Sequence, residues 1–485
     1  MNRGPILAFV AVAVAAAAAP AQDNPLNAEQ AAALANAREL GPEAFGAVYL
    51  TVYNHPELDR PDLKNATDFW VNSLSREADI TRTRWVTPTL LRLNLRDYGF
   101  EFKTWSALAA EDPFFHVQLN VTAGSLGKTY FPAEVGSKAG WYDARFVEAK
   151  QVPAIAPWLS PTAAAELVGL TGTAAPVLRA DWFLSRVAAQ AGRKGTGYYD
   201  FLGVKNRDDF DKLIGFNRKE SQRVKKEVFS IVGPRSGVSN FPRQIAVEMA
   251  ITGERFETRD TLDDNKDERN PIRNLDKTYK HQAEEIYAHG ANDLYKFHLN
   301  DDKGVQQETA PDKIGFDKTA PGNDGRIHVG ISCVRCHVEG LRPIADWTRR
   351  VFKQPLKLNS TDPEADRRIK QLYFGELNEK LEDSIRKYTR ALEKTNGLTP
   401  EKNAELVGKV WRKYVEATVL PADVAADLGV KEVDYLKTLR AAYRQNPLAD
   451  PVLASHLATP PVPIRSDDLE QLAPLIYPTI LKGDP

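Results

Sequence analysis

The sequence predicts a mixed α+β fold built from several parts. Its 485 residues are 42% hydrophobic, an ordinary globular composition with enough apolar side chains for more than one core. Over residues 237–304 apolar and polar side chains alternate as in strands, with hairpins expected on either side of residues 263–270. Helical patterns dominate after residue 361. A formal net charge of -1 gives no bulk attraction to nucleic acid, so no nucleic-acid partner is expected.

The first 21 residues are interpreted as an export signal. Arg3 provides a basic start, an apolar run follows over residues 6–18, and Ala19-Pro20-Ala21 forms a small-residue cleavage pattern. The apolar run of about 14 residues is shorter than the ~20 that a membrane-spanning helix needs, and no later apolar stretch is long enough. We therefore expect a periplasmic or otherwise extracytoplasmic protein, soluble after cleavage near Ala21, with no integral membrane span in the mature chain.

Three regions are predicted after the signal. An N-terminal α+β region covers residues 22–155, a second α+β region covers residues 156–360, and a helical region covers residues 361–485. Linkers are expected at residues 152–157 and 354–363.

The elements of the first region follow from local patterns. An alanine-rich helix is predicted over residues 27–40, with Asn27 as its N-cap and Gly41 just beyond its end. A second helix is expected over residues 67–77. Residues 90–96 alternate like a strand and run into a turn at residues 97–99, after which Trp105 begins a short helix.

Helix signals are clearer in the other two regions. Ser160 and Pro161 open a helix to about residue 171, residues 179–184 lead into another, and Asn206 caps one that ends near residue 214. In the C-terminal region a long helix is predicted over residues 362–392 and stopped by Gly397. The next helix is predicted over residues 400–419.

The chain has only two cysteines, Cys333 and Cys336, and His337 follows them directly. Exported proteins usually use cysteines for disulfides that join distant parts of the fold, which two neighbouring cysteines cannot do. The spacing C-x-x-C-H is the attachment pattern for c-type haem. Two thiols bond to the vinyl groups on one porphyrin edge, and the adjacent histidine reaches the iron. The sequence thus predicts one covalent haem c on Cys333 and Cys336, with His337 as proximal axial ligand of the iron.

Three other interpretations of these residues stay open. A thioredoxin-like redox pair needs a strand before the motif and a long amphipathic helix after it; residues 326–329 resemble a short strand, but Gly340 and Pro343 interrupt the segment after the motif. A zinc site needs a fourth ligand from elsewhere in the chain. A disulfide across so short a loop would be strained and would stabilise the fold little.

The sixth iron ligand is less well defined. No methionine follows His337, which excludes the arrangement of the common small cytochromes c. The only methionine after the signal is Met249, a possible distal ligand whose simpler interpretation is that it fills the core from a strand. The other candidates are histidines, with His298 expected to be solvated; they are His281, His289, His298 and His328. An iron without a sixth protein ligand is the remaining possibility, and it would suit peroxide or small-ligand chemistry better than electron transfer.

Basic side chains exceed acidic ones around the motif. Most are expected to form a solvated face, while one or two could neutralise haem propionates or steer an acidic redox partner. The basic residues are Arg335, Arg342, Arg349, Arg350 and Lys353, against Glu339 and Asp346.

Four segments together resemble a group of large exported bacterial c-type cytochrome-like proteins that carry one haem motif deep in a long chain. The segments are residues 95–99 with Trp105, residues 179–183, residues 236–239 and residues 333–337. The resemblance implies one covalent haem and an extracytoplasmic location. Electron transfer with an unidentified redox partner protein is the expected function. The alternatives are a haem enzyme or sensor with an open iron site, and a structural or binding protein in which the haem is incidental.

Overall fold

The fold is mixed α+β, as the sequence predicts. The structure is a computed structural model that describes residues 25–111, 116–117, 154–155, 161–173, 177–193, 195–224, 228–232, 241, 243–261, 269, 271, 279–312, 314–317, 325–342, 377–415, 417–427, 431–445, 451–466, 468–469, 472 and 476. The predicted export signal and nearly all of both predicted linkers lie outside these residues, and so does the segment 236–239. None of the described helices has the length and apolar composition that a membrane crossing requires.

Helices account for most of the regular structure in the described residues. They are α1 (Pro25–Leu40), α2 (Arg60–Leu74), α3 (Phe102–Glu111), α4 (Pro161–Thr171), α5 (Ala180–Val187), α6 (Tyr198–Leu202), α7 (Arg207–Leu213), α8 (Arg218–Val224), α9 (Ile331–His337), α10 (Leu377–Asn396), α11 (Pro400–Val415), α12 (Pro421–Asp427), α13 (Glu432–Gln445) and α14 (Pro451–His456). Short 3-10 turns lie at Gly41–Ala44, Glu57–Asp59 and Leu95–Tyr98.

The helix ends follow the predicted signals in several places. Asn206 caps α7, because its side-chain oxygen accepts a hydrogen bond from the backbone nitrogen of Asp209 at 2.9 Å. Helix α10 is followed by Gly397, whose φ of 78° is a left-handed conformation that glycine adopts without strain. Helix α1 begins at Pro25, two residues before the predicted cap Asn27, and α2 begins seven residues earlier than predicted.

The strands of the described residues form two larger sheets and two short pairs. They are β1 (Ala47–Thr51), β2 (Arg84–Thr87), β3 (Leu90–Asn94), β4 (His116–Val117), β5 (Ala154–Ile155), β6 (Val177–Arg179), β7 (Val228–Val232), β8 (Arg243–Ala250), β9 (Gly253–Asp260), β10 (Ala283–His289), β11 (Tyr295–Asp301), β12 (Gln306–Gln307), β13 (Thr418–Val419) and β14 (Ile464–Arg465). The first sheet has the order β2-β3-β1-β6, and the second has the order β12-β11-β10-β9-β8-β7.

The first sheet joins residues from two predicted regions. Strand β1 pairs antiparallel with β3 and parallel with β6, which follows the boundary predicted at residue 155. Where β1 and β6 end, Asp181 accepts hydrogen bonds from Asn54 at 3.1 Å and from Arg179 at 2.8 Å, and pairs with His55 at 3.0 Å. Burial opposes ionisation of Asp181, but Arg179 and His55 outweigh it and hold the pKa of this carboxyl well below its usual value. Asp181 therefore links the end of β1 to the end of β6 through hydrogen bonds.

The second sheet confirms the strand-like pattern over residues 237–304 and is antiparallel throughout. Its register places Val247, Phe256, Tyr287 and Phe297 in one row across β8 to β11. Because successive side chains of a strand point to opposite faces, these residues share one face and His298 lies on the other.

The face opposite that aromatic row carries a buried charge cluster. Arg255, fully buried, donates to Glu248 at 2.8 Å and to Glu257 at 2.6 Å. Arg207 of α7 also donates to Glu257 at 2.6 Å, and Arg218 of α8 donates to Asp211 of α7 at 2.6 Å. Ion pairs therefore attach the short helices α7 and α8 to this face.

One hydrophobic cluster includes side chains from all three predicted regions. It extends in sequence from Val48 of β1 to Ile476 and includes Cys333 of α9 and Leu392 of α10. A smaller cluster packs α1 and α4 on the first sheet. The predicted boundaries near residues 155 and 360 therefore remain predictions.

Two sequence interpretations are wrong. His298 was expected to be solvated, but it is fully buried and packs on Tyr199 and Phe210, with ring centroids 5.1 Å away in each case. Met249 was expected to fill the core if it is not a ligand, but it is 55% exposed, because it lies at the end of β8 beside the turn into β9. Alternation assigns a face to each residue, but it does not tell which face is covered at the end of a strand.

Candidate functional site

The three motif residues lie on one short helix. Cys333, Cys336 and His337 occupy positions i, i+3 and i+4 of α9, which share a helical face. Both thiols are free. Cys333 is buried, with 2% of its surface exposed, whereas Cys336 is exposed. The helix thus presents one covered and one open thiol, one turn apart, beside an imidazole.

Helix α9 begins in a tight contact with the residues that directly follow α5. Gly330 has a φ of 85° and forms an isolated bridge with Ala189. A Cβ at this position would overlap the carbonyl oxygen of Ala188 and come within 2.8 Å of the Tyr198 ring. Only glycine fits here without displacing its neighbours, and so Gly330 fixes where the motif helix starts.

Asp317 holds the first turns of α9. One carboxylate oxygen accepts a hydrogen bond from the Ser332 hydroxyl at 2.6 Å, and the other accepts one from Arg335 at 2.7 Å. The Ser332 oxygen also accepts the backbone N–H of His328 at 3.0 Å. These contacts fix the motif helix against the segment that precedes it in the chain.

His337 lies over two aromatic rings of the second sheet. Its ring centroid is 5.8 Å from that of Tyr287 and 5.9 Å from that of Phe297, with interplanar angles of 26° and 22°. Tyr287 and Phe297 are direct partners in the register of β10 and β11. The strand alternation therefore places both rings where the motif helix crosses the sheet.

The environment of His337 favours a neutral imidazole. Burial, followed by the positive charges of Arg342 and Arg243, lowers its pKa to about 4. Its Nδ1 is buried and has no hydrogen-bond partner. At neutral pH the ring therefore carries a free lone pair, the form that binds a metal ion.

The Cys333 thiol faces a carboxyl group. Burial raises the pKa of Cys333 well above its usual value, and the neighbouring Glu285 and Cys336 raise it further. The side chain of Glu285 hydrogen-bonds with this thiol, and burial raises the pKa of Glu285 as well. Cys333 is thus a protonated thiol in the folded chain, unlike the activated thiolates of redox enzymes.

A pocket lies beside Glu285, at one end of the strands of the second sheet. Its charged lining includes Arg243, Asp260 and Glu284, and its apolar lining includes Leu299, Ile314 and Ile327. Since Glu285 contacts both this pocket and Cys333, the pocket adjoins the motif.

Met249 does not reach His337. Tyr287, which His337 covers, pairs with Phe256, and Phe256 pairs with Val247, whereas Met249 pairs with Glu254 two residues further along β8. Strands β8 and β10 are two positions apart, which corresponds to about 10 Å. Met249 therefore lies away from His337 in this structure.

The other candidate ligands are also engaged or turned away. His289 uses both ring nitrogens, in bonds of 2.7 Å with the carbonyl oxygen of Asp293 and 2.9 Å with the Ser384 hydroxyl. His298 lies on the opposite face of the sheet from Phe297. His281 pairs with Glu284 at 2.9 Å, and His328 is buried just before α9.

The structure bears on the alternative interpretations of the motif. Residues 326–329 form no strand and contribute only an isolated bridge at His328, so the strand that a thioredoxin-like motif needs is missing from this described segment. Among the described residues there is no cluster of three or more Cys, His, Asp and Glu side chains that could hold a metal ion. A haem iron needs only one or two protein ligands, because the porphyrin nitrogens supply four.

Several residues of the site were not singled out from the sequence. Asp317 and Glu285 look like ordinary acidic residues until the fold brings them to α9. Tyr287 and Phe297 had a detectable signal, because both belong to alternating strand segments, but alternation alone does not identify what covers them.

The chain matches no protein-family model, and no match is found among curated proteins or solved structures.

Proposed function

We propose that the chain is an exported monohaem c-type cytochrome that transfers electrons through one covalently attached haem. The observation that carries the proposal is the face of α9, where two free thiols one turn apart stand beside a neutral imidazole. This is the donor set that thioether attachment and axial ligation of haem require. The residues present therefore fit the group.

Each residue has a separate role in this proposal. Cys333 and Cys336 would hold one edge of the porphyrin, and His337 would bind the iron. When bound, the haem supplies a one-electron iron couple whose potential depends on ligands and burial. Tyr287 and Phe297 orient the His337 ring and exclude water from the side on which it packs. Because Cys336 is exposed, it would bring one porphyrin edge to the surface, where a redox partner protein could exchange electrons.

Haem retention on the denatured chain tests the proposal. The protein is expressed with a cytochrome maturation system, unfolded in denaturant and separated from free haem. We expect haem to stay on the wild-type chain and to be lost from the Cys333→Ala/Cys336→Ala double variant. Release of all haem from the unfolded wild-type chain would refute covalent attachment.

A haem enzyme or sensor with an open iron site is the second candidate function. It is favoured by one observation, namely that Met249 and His298 lie away from His337 while both ring nitrogens of His289 are engaged in hydrogen bonds. An iron with a free position binds small ligands or peroxide. Carbon monoxide binding to the reduced holoprotein is expected in this case, with Met249→Ala leaving the optical spectrum and the potential unchanged. A changed spectrum in Met249→Ala would instead make Met249 the sixth ligand.

A further inference from the structure

A buried chain of hydrogen bonds links Tyr295 to His289. The Tyr295 hydroxyl lies 2.9 Å from the Ser384 hydroxyl, which lies 2.9 Å from Nε2 of His289. Nδ1 of His289 lies 2.7 Å from the backbone carbonyl oxygen of Asp293. The side chains come from β11, α10 and β10, and all three are buried.

The direction of this chain follows from the chemistry of its ends. A carbonyl oxygen can only accept, so Nδ1 of His289 carries a proton. Burial lowers the pKa of His289, which keeps the ring neutral and leaves Nε2 as an acceptor. The Ser384 hydroxyl therefore donates to Nε2, and its oxygen accepts the proton of the Tyr295 hydroxyl. The phenol is thus connected to a base through one intermediate hydroxyl.

The same tyrosine is connected to the motif by ring contacts. Phe297 lies between them, with its centroid 5.9 Å from that of His337 and 6.4 Å from that of Tyr295. Tyr388 of α10 stacks on Tyr295 at 4.2 Å and 12°. Electron transfer over such short steps between rings does not require any of them to move.

We propose that Tyr295 is a redox-active tyrosine that gives an electron to the haem site through Phe297 while its phenolic proton passes by way of Ser384 to His289. The proposal rests on the second candidate function, because an oxidised c-type iron alone is too weak an oxidant for a phenol. The co-substrate is a hydroperoxide.

Atoms and electrons balance in this step. The hydroperoxide accepts two electrons and two protons, its O–O bond breaks, and it leaves as water and an alcohol, or as two waters for hydrogen peroxide. Both of these protons come from solvent, because the phenolic proton stays on the chain. Tyr295 supplies one of the two electrons, and a haem bound at the motif would supply the other. The O–H bond of Tyr295 breaks, its proton joins the Ser384 oxygen, and the original Ser384 proton joins Nε2 of His289. The products on the chain are a neutral Tyr295 radical and a His289 imidazolium ion.

A second tyrosine and histidine pair provides a matched control. The Tyr435 hydroxyl lies 3.0 Å from Nε2 of His456, and both residues are buried. The described ring contacts of Tyr435 and His456 are with each other and do not extend to His337. Tyr435 thus has a histidine that can accept its proton, but the described ring contacts do not connect it to His337.

Electron paramagnetic resonance of the ferric holoprotein, frozen within seconds of adding hydrogen peroxide, tests the proposal. We expect a tyrosyl signal that changes shape when the protein is grown with ring-deuterated tyrosine, a measurement that needs no variant. Tyr295→Phe keeps the packed ring and should lose the signal. Ser384→Ala interrupts proton transfer and should lower the radical yield several-fold. Tyr435→Phe and Tyr287→Phe should retain the signal.

The outcomes separate this proposal from the one that it rests on. Retained covalent haem without a tyrosyl signal overturns the Tyr295 proposal alone, and so does a signal that persists in Tyr295→Phe. Loss of the signal in Tyr287→Phe but not in Tyr295→Phe would assign the radical to the tyrosine in contact with His337, which also overturns it. Absence of covalent haem overturns the proposed function itself and the radical with it.

Discussion

Ser332 donates its hydroxyl hydrogen to Asp317 at 2.6 Å, across 15 residues of the chain. The same carboxylate accepts a hydrogen bond from Arg335, which lies one turn further along α9. One acidic side chain outside the motif thereby sets the position of the helix that carries both cysteines and His337.

Asp317→Ala should destabilise the protein. The substitution removes an acceptor from the largely buried Ser332 hydroxyl and an ion pair with Arg335, so we expect a loss of about 1–3 kcal/mol in the free energy of unfolding. Urea denaturation measures it. Asp312→Ala is the control, since Asp312 is 68% exposed and pairs with the exposed Arg326; a change within about 0.5 kcal/mol is expected there. Equal effects of the two substitutions would contradict the anchoring role of Asp317.

Gly330→Ala should be more damaging. The new Cβ would meet the Ala188 carbonyl oxygen and the Tyr198 ring in a left-handed backbone conformation, and we expect a cost of about 3 kcal/mol or more. At Gly192 the φ is 72° but no atom lies within 4 Å of the place that a Cβ would take, so Gly192→Ala should cost only the ~1–2 kcal/mol of backbone strain. Thermal denaturation compares the two. A tolerated Gly330→Ala would mean that α9 does not begin against Ala188 and Tyr198.

The two thiols should react at different rates in the haem-free chain. Cys336 is exposed, whereas Cys333 is 2% exposed and burial raises its pKa well above the usual range. Iodoacetamide should therefore add one group to the native chain and two to the unfolded chain, as read by mass spectrometry. Cys336→Ser should take up none while folded. Rapid labelling of Cys333 in the native chain would show that it is not covered.

His298→Phe should flatten the dependence of stability on pH. Burial, with the charges of Arg207, Arg255 and Arg218, lowers the pKa of His298 to about 3, against about 6.5 in an unfolded chain. Above pH ~6.5 neither state binds this proton; as the pH falls from there to about 3, only the unfolded state does, and up to about 1.4 kcal/mol of stability is lost per unit.

In His298→Phe this contribution disappears, and stability at neutral pH should be retained or increase, because both ring nitrogens are buried without partners. Urea denaturation at neutral and acidic pH provides the comparison. His281→Phe, at a histidine that is 20% exposed, should leave the slope in place. An unchanged slope in His298→Phe would place the acid sensitivity elsewhere.

Local signals in the sequence were sufficient for much of the fold. The Asn206 cap and the Gly397 stop are decided by neighbouring backbone groups, and both ends were predicted within a residue or a few. The antiparallel strands β8 to β11 follow from alternation over adjacent segments. The motif residues were identified from spacing alone, and the structure places all three on one helical face.

Contacts between residues far apart in the chain could not be predicted from local sequence patterns. Ser384 and His289 are 95 residues apart, and nothing in either local sequence indicates that they hydrogen-bond. The burial of His298 depends on Tyr199 and Phe210 from helices earlier in the chain, and a strand pattern carries no information about what covers it. The exposure of Met249 depends on its place beside a hairpin turn.

The cover over Cys333 has a consequence for the order of events during maturation. A thiol that is 2% exposed and hydrogen-bonded to Glu285 is closed to a bulky reagent such as a porphyrin. In the proposed cytochrome, the thioether bond at Cys333 therefore forms before the chain is fully folded. Helix α9 then packs against the second sheet with the haem already attached. Folding after attachment would then bury the thioether bond at Cys333.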